Sequence, residues 1–203
     1  VFCCFNSSYK ISSIEFNIWM RVLKKIENSV LWLLKTNVWA TKNLHLEAKK
    51  AGVDPNRIIF AEILPQSEHL SRHKHADLFL DTFNYNAHTT ASDALWAGLP
   101  LVTKIGNQFA SRVSASLLNA INLTELITKN YEEYEKLILE LANNSQKLSE
   151  IKTKLLINRG KEPLFDTKRY TQNFEKGLKQ AYDLYLNGEK PKDIEIIEAF
   201  DSK

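Results

Sequence analysis

Short apolar runs alternate with amphipathic stretches through the first two-thirds of the chain. Residues 1–5 (VFCCF) and 30–34 (VLWLL) are apolar at every position, and further strand-like runs occur at 57–61, where Arg57 leads four apolar residues, at 78–80 and at 101–103. Runs that are apolar on both faces predict buried strands of a covered sheet. Between the first two, Ile14, Ile18, Val22 and Ile26 recur at every fourth position, with Trp19 and Leu23 widening the stripe. That period predicts a helix, and Ser12 with Glu15 offers a capping box at its start. Further helices are predicted over 44–51, closed by Gly52, and over 65–76, opened by Pro65. Two more are predicted over 89–96, stopped by Gly98 and Pro100, and over 110–120, and a sixth strand at 125–128.

Strands separated by single helices at this spacing read as βαβ units. The predicted fold class is α/β, a Rossmann-like parallel sheet with right-handed crossovers and helices on both faces. Beyond residue 130 the pattern is helical throughout. Tyr134, Leu137, Ile138 and Leu141 form one stripe, and Tyr170, Phe174, Leu178, Tyr182 and Tyr185 form another on a long last helix. The expected organisation is a Rossmann-like domain over 1–130, a helical extension packing on it over 131–188, and a flexible tail over 189–203.

Composition narrows the class only a little. The chain has 203 residues, 44% hydrophobic and 25% charged, with a net charge of +3. That is ordinary for a globular protein, and there is no basic stripe to demand nucleic acid. No apolar run approaches the roughly 18 residues of a membrane span, and no signal peptide is visible. Cys3 and Cys4 are adjacent, so they point to opposite faces of a strand and do not pair with each other. A cytoplasmic protein is expected. The chain opens inside a strand pattern with no initiator Met, which predicts a piece of something longer.

An open parallel sheet binds ligands beyond the carboxyl ends of its strands. Three strand-to-helix loops there carry polar residues. Asn84 to Asp93 runs straight into a helix, whose first N–H groups and positive dipole end suit a diphosphate at His88, Thr89 and Thr90. Asp93, one turn in, has the reach to accept from both hydroxyls of a ribose. Taken alone, Thr89 or Thr90 is better explained as an N-cap and Asp93 as an acid complementing the dipole. The loop with Ser7 and Lys10 follows the first strand, and a lysine there would neutralise charge growing on a diphosphate. The third loop holds Leu64, whose backbone Pro65 leaves free for a base edge, then Gln66, His69 and Arg72. His69 and Arg72, three apart on one helix face, carry planar groups suited to a pyrimidine.

Other features carry less. His69 and His73, four apart, could share a metal, but exposed helix histidines are the simpler expectation and no metal is expected. The four tryptophans, Trp19, Trp32, Trp39 and Trp96, are expected in packing. The absence of G-x-G-x-x-G, of a Walker loop and of G-x-S-x-G removes support for a dinucleotide dehydrogenase, a P-loop enzyme and a serine hydrolase.

The stretch DTFNYNAHTTASDALWAGLPLVT at 81–103 resembles the protein O-GlcNAc transferase and SPINDLY-like family. So do FNSSYKI at 5–11, NSVLWLLK at 28–35, NRIIFAEILPQSEHLSR at 56–72, ASRVSASLL at 110–118 and PLFDTKRYT at 163–171. The resemblance implies the C-terminal, donor-binding half of a two-domain GT-B fold. It implies Lys10 as the phosphate-contacting, catalytic lysine. His88, Thr89 and Thr90 would cradle the phosphates and Asp93 would hold the ribose. The Leu64 backbone, His69 and Arg72 would meet the base, with Ser7 and Gln66 beside the donor. The family has Gln where this chain has Ser7 and Lys where it has Gln66. The implied reaction is metal-independent transfer of a sugar from UDP-GlcNAc to a protein Ser or Thr, with no cofactor. An N-terminal catalytic half and TPR repeats would lie upstream. GDP-fucose, the donor of SPINDLY-like relatives, and a non-catalytic nucleotide-binding scaffold are the alternatives.

Overall fold

The computed structural model describes residues 1–197. Six strands form the sheet: β1 (Phe2–Cys4), β2 (Leu31–Leu34), β3 (Ile58–Ala61), β4 (Leu78–Leu80), β5 (Leu101–Lys104) and β6 (Ile127–Thr128). All pair in parallel, in the order β3-β2-β1-β4-β5-β6. The order reverses between β1 and β4, so the loops leaving these two adjacent strands diverge and open a crevice at the carboxyl edge.

Eight α-helices accompany the strands among the described residues: α1 (Ser13–Lys25), α2 (Val38–Lys50), α3 (Gln66–Arg72), α4 (Thr89–Trp96), α5 (Val113–Ala120), α6 (Tyr131–Asn143), α7 (Ser145–Asn158) and α8 (Thr167–Leu186). Ser12 and Glu15 form the expected capping box on α1, the Ser12 N–H reaching Glu15 Oε1 at 2.6 Å. Cys3, Cys4, Leu31, Leu33, Phe79, Leu80, Leu101 and Val102 lie in one buried core, and both cysteines are free thiols. Gly98 adopts φ +85° between α4 and β5, a left-handed turn that favours glycine. Its neighbour Leu99 donates to Ala94 O at 2.8 Å, closing the end of α4.

Several boundaries differ from the sequence pattern. α2 begins at Val38, well ahead of residue 44, because Asn37 Oδ1 caps the Ala40 N–H at 2.8 Å. Its first turn is exposed, so no apolar period announces it. Trp39 sits there 70% exposed, which corrects the expectation that all four tryptophans pack. Trp96 is half exposed and meets Phe165 edge-on at 5.1 Å, while Trp19 is fully buried. The helix expected over 65–76 ends at Arg72 and tightens into a 3-10 turn, His73–His75. α5 starts at Val113, after a 3-10 turn at Phe109–Ser111.

α6 buries Tyr134, Ile138 and Leu141 in the same core as the sheet. It packs against α1, where Trp19 Nε1 donates to the Tyr134 hydroxyl at 3.1 Å and Glu135 pairs with Arg21 and Lys25. α8 differs: none of its residues is buried, and Tyr170, Phe174, Leu178, Tyr182 and Tyr185 all stand exposed along it. After Gly188 the chain is non-helical, with Ile196 lying close to Gly177 of α8. The last part of the expected tail, 198–203, lies outside the described residues. Among the described residues no helix is long and apolar enough to cross a membrane.

Candidate functional site

The crevice is built on Asp81, at the carboxyl end of β4. Its carboxylate is fully buried and accepts from the Thr82 N–H at 2.8 Å, the Ala87 N–H at 2.6 Å and the Thr103 hydroxyl at 2.7 Å. Burial raises its pKa to about 6, against the opposing pull of these donors. One side chain thus gathers both ends of the loop between β4 and α4 and ties it to β5. From below, the Tyr134 hydroxyl donates to Asp81 O at 3.0 Å and Ser114 donates to Ala87 O at 2.8 Å.

Asn6, just beyond β1, joins this loop to its neighbour. Its amide donates to Thr82 Oγ1 at 2.8 Å, and its carbonyl accepts from the Thr90 hydroxyl at 2.6 Å. Thr82 Oγ1 passes its own proton to Tyr85 O at 2.6 Å. Asn86 locks the loop again: its amide reaches Thr82 O at 2.6 Å and its N–H reaches Ala110 O at 2.8 Å.

Against this scaffold the candidate residues fall as follows. Lys10 ends a 3-10 turn, Ser8–Lys10, that Ser7 opens by accepting the Lys10 N–H at 2.9 Å. The Lys10 ammonium donates to Asn86 O at 3.0 Å and lies 3.7 Å from the centre of the Tyr85 ring. Desolvation lowers its pKa, with the Asp81 charge opposing. His88 is the residue before α4, and no side chain caps that helix. The N–H groups of Thr89 and Thr90 come too early for an intrahelical acceptor, and among the described residues no backbone group accepts from them. His88 Nε2 meets Ala110 O at 3.2 Å, and a carbonyl only accepts, so Nε2 carries the proton. Lys10 and the start of α4 therefore converge on one place.

The third loop lies beside them. Leu64 is partly exposed, and among the described residues no backbone group bonds to its N–H or C=O. Gln66 Nε2 donates to Asp93 Oδ1 at 3.0 Å. His69 Nε2 faces Asp93 Oδ2 at 3.8 Å, and its Nδ1 accepts from Arg72 Nε at 3.0 Å. Burial first, then Arg72 and His73, lower the His69 pKa to about 4, so the ring is neutral with its proton on Nε2. Arg72 is itself buried, with Nη1 on Glu62 O at 2.6 Å and its guanidinium over the Phe5 ring. It holds His69 in place. His73, expected as an exposed helix histidine, is fully enclosed: it meets Phe5 edge-on at 5.2 Å and its Nδ1 lies 2.8 Å from His69 O.

Sequence reasoning missed Asn6, Asp81, Thr82, Tyr85 and Asn86. A carboxylate directly after a fully apolar strand, as in Leu80-Asp81, is a signal that could have found the loop's organiser. The bonds of Asn6 depend on strand order and have no local signature.

Strand order and the β1/β4 crevice define a Rossmann-like domain of the kind that forms the C-terminal half of a GT-B fold. The family model described as Glycosyl transferase family 41 matches residues 1–174. The chain belongs to that family. It is 37% identical over 98% of its length to a probable UDP-N-acetylglucosamine–peptide N-acetylglucosaminyltransferase, SEC, of Arabidopsis thaliana, covering 20% of that protein. A Caenorhabditis elegans protein named as the same kind of transferase is 35% identical over 93% of this chain, which covers 16% of the relative. The chain thus spans about a fifth of such relatives. A mutant O-GlcNAc transferase of Thermobaculum terrenum superposes with TM-score 0.83 at 26% identity, over 88% of this chain and 35% of that one. The Anabaena HepE protein, solved with UDP, shares the fold at TM-score 0.62 and 15% identity, over 86% of this chain and 48% of that one.

Proposed function

We propose that this chain binds the nucleotide-sugar donor, UDP-GlcNAc, for a protein O-glycosyltransferase. The observation that carries the reading is the convergence of Lys10 with the free start of α4: its ammonium sits 3.0 Å from Asn86 O, two residues before His88. On this reading the diphosphate takes the N–H groups of Thr89 and Thr90 and the Lys10 charge. Asp93 holds the ribose, and the Leu64 backbone with the His69 Nε2–H meets the base.

During transfer, an acceptor Ser or Thr oxygen bonds to the anomeric carbon and loses its proton, while the bond from that carbon to the β-phosphate oxygen breaks. Negative charge grows on the departing diphosphate. Fixed positive groups aimed there stabilise the transition state more than the ground state. Lys10 and the dipole of α4 supply such groups, and we infer a metal-independent, cofactor-free reaction from them. The acceptor site, an N-terminal catalytic half and TPR repeats are proposed for the remainder of the protein. A cytoplasmic setting is proposed from the two free cysteines.

Calorimetric titration with UDP, UDP-GlcNAc and GDP-fucose tests the donor. Selective UDP binding, lost in Asp93→Ala, is expected. In the full-length protein Lys10→Ala should cut kcat about 100-fold with a much smaller loss of UDP affinity, as removal of a group acting on developing charge does. Equal losses in both would overturn the catalytic role of Lys10. One observation favours a second reading: Gln66, Asp93, His69 and Arg72 already bond one another. A non-catalytic scaffold would hold a nucleotide or a partner without transfer, so the full-length protein would show no turnover with UDP-GlcNAc or GDP-fucose.

A further inference from the structure

Lys10 has a second neighbour that the donor reading does not use. The Tyr85 ring lies across its ammonium, 3.7 Å from ring centre to Nζ. Tyr85 is 40% exposed, so the ring is not there to fill a core. Its backbone is fixed by the Thr82 hydroxyl at 2.6 Å, within the loop that Asp81 folds. The ring also approaches His88 at 4.9 Å and Tyr9 at 6.4 Å, so it stands between the two loops that flank the crevice.

An ammonium has three N–H bonds. Asn86 O takes one, and the negative face of the ring attracts the cation from a second side. One direction is left for an anion. A lysine has four rotatable stem bonds, and freezing them when a ligand arrives opposes binding and catalysis. Here ring and carbonyl hold the ammonium through contacts made within the protein itself.

We propose that Tyr85 is a positioning residue for Lys10, its ring face ordering the ammonium beside the first turn of α4 so that it meets the donor diphosphate without rearrangement. This rests on the donor reading. The ring acts through the lysine, and the property that matters is its π face, not its hydroxyl or its bulk.

The test compares Tyr85→Phe with Tyr85→Leu in the full-length protein. Phenylalanine keeps the face and loses the hydroxyl, and leucine keeps apolar volume and loses the face. Nucleotide affinity is measured by calorimetry, transfer by kcat, and the contact by the ring-current shift of the Lys10 ε-methylene protons in NMR. The expected result is a Phe variant within twofold of wild type and a Leu variant about tenfold lower in kcat, with UDP affinity changed less than threefold. The upfield ε-methylene shift should persist in Phe and vanish in Leu. Equal kcat for Phe and Leu, whether both normal or both reduced, overturns the proposal. A wild-type protein that binds no nucleotide removes the donor reading and this inference together, whereas normal binding and turnover in all three removes this inference alone.

Discussion

In the loop after β4 a buried carboxylate is the organiser: Asp81 collects two N–H groups and a hydroxyl, and the Asn6 and Asn86 amides tie Thr82 to it. In the loop after β3 the corresponding stretch, Ile63 to Pro65, is exposed, and order comes from the helix that follows, where Arg72 holds His69 and Gln66 reaches across to Asp93. Both stand at one sheet edge. The first is rigid from beneath and presents backbone N–H groups. The second is held by the Arg72–His69 pair and the exposed Gln66–Asp93 bond, and presents a neutral ring and an amide. Buried hydrogen-bonded networks fix geometry firmly because each unmade bond costs a desolvated group. Surface bonds fix it loosely. A diphosphate, small and highly charged, suits the first kind of site, and a base with variable edges suits the second.

The largest effect should come from breaking the organiser. Asp81→Ala leaves two N–H groups and a hydroxyl unpaired in the interior and should destabilise by about 3–5 kcal/mol, read by urea unfolding. Asp81→Asn keeps an acceptor for the two N–H groups and should cost less. The pH dependence sharpens this. Asp81 holds its proton up to about 6 in the fold, above the value near 4 of an unfolded carboxylate. The folded state therefore binds more protons between these values, and stability from this group falls as pH rises from about 4 to about 6, then stays level. Asp81→Asn should lose that slope, seen as a difference between the two unfolding profiles.

A smaller effect is expected where Arg72 meets His69. Arg72→Leu should cost about 1–2 kcal/mol and raise the His69 pKa from about 4 toward 6.5, followed by NMR titration. Because burial is the larger cause, the rise should be partial. Wild-type His69 is neutral in the fold and protonated when unfolded between about pH 4 and 6.5. Its contribution therefore falls as pH drops through that range, opposite in sign to that of Asp81. The least effect belongs to Gln66→Ala: an exposed bond to Asp93 is lost, and stability should change by less than about 0.5 kcal/mol. If Gln66→Ala proved as damaging as Asp81→Ala, the contrast between the two loops would be wrong.

The parallel sheet was legible because VFCCF, VLWLL and the shorter runs are apolar on both faces, although the edge strand β3 leaves Ile59 43% exposed, and α1 because Ser12, Glu15 and the fourfold apolar spacing agree. The convergence of Lys10 with α4 was legible from loop positions on a sheet edge. What could not be read depends on which strands become neighbours. Asn6 bonds Thr82 and Thr90 only because β1 lies beside β4, and His73 is buried where Phe5, just beyond β1, packs against it. Gln66 and Asp93, 27 residues apart, meet for the same reason. α6 and α8 looked alike as amphipathic helices, since periodicity reveals a face and not what covers it.

That last helix has a consequence for how the fold's cohesion is distributed. No side chain of α8 is buried, so its removal at Asp166 would leave the packed interior whole. Thermal stability then resides in the residues ahead of Asp166, and the exposed row of Tyr170, Phe174, Leu178, Tyr182 and Tyr185 contributes nothing to the buried core.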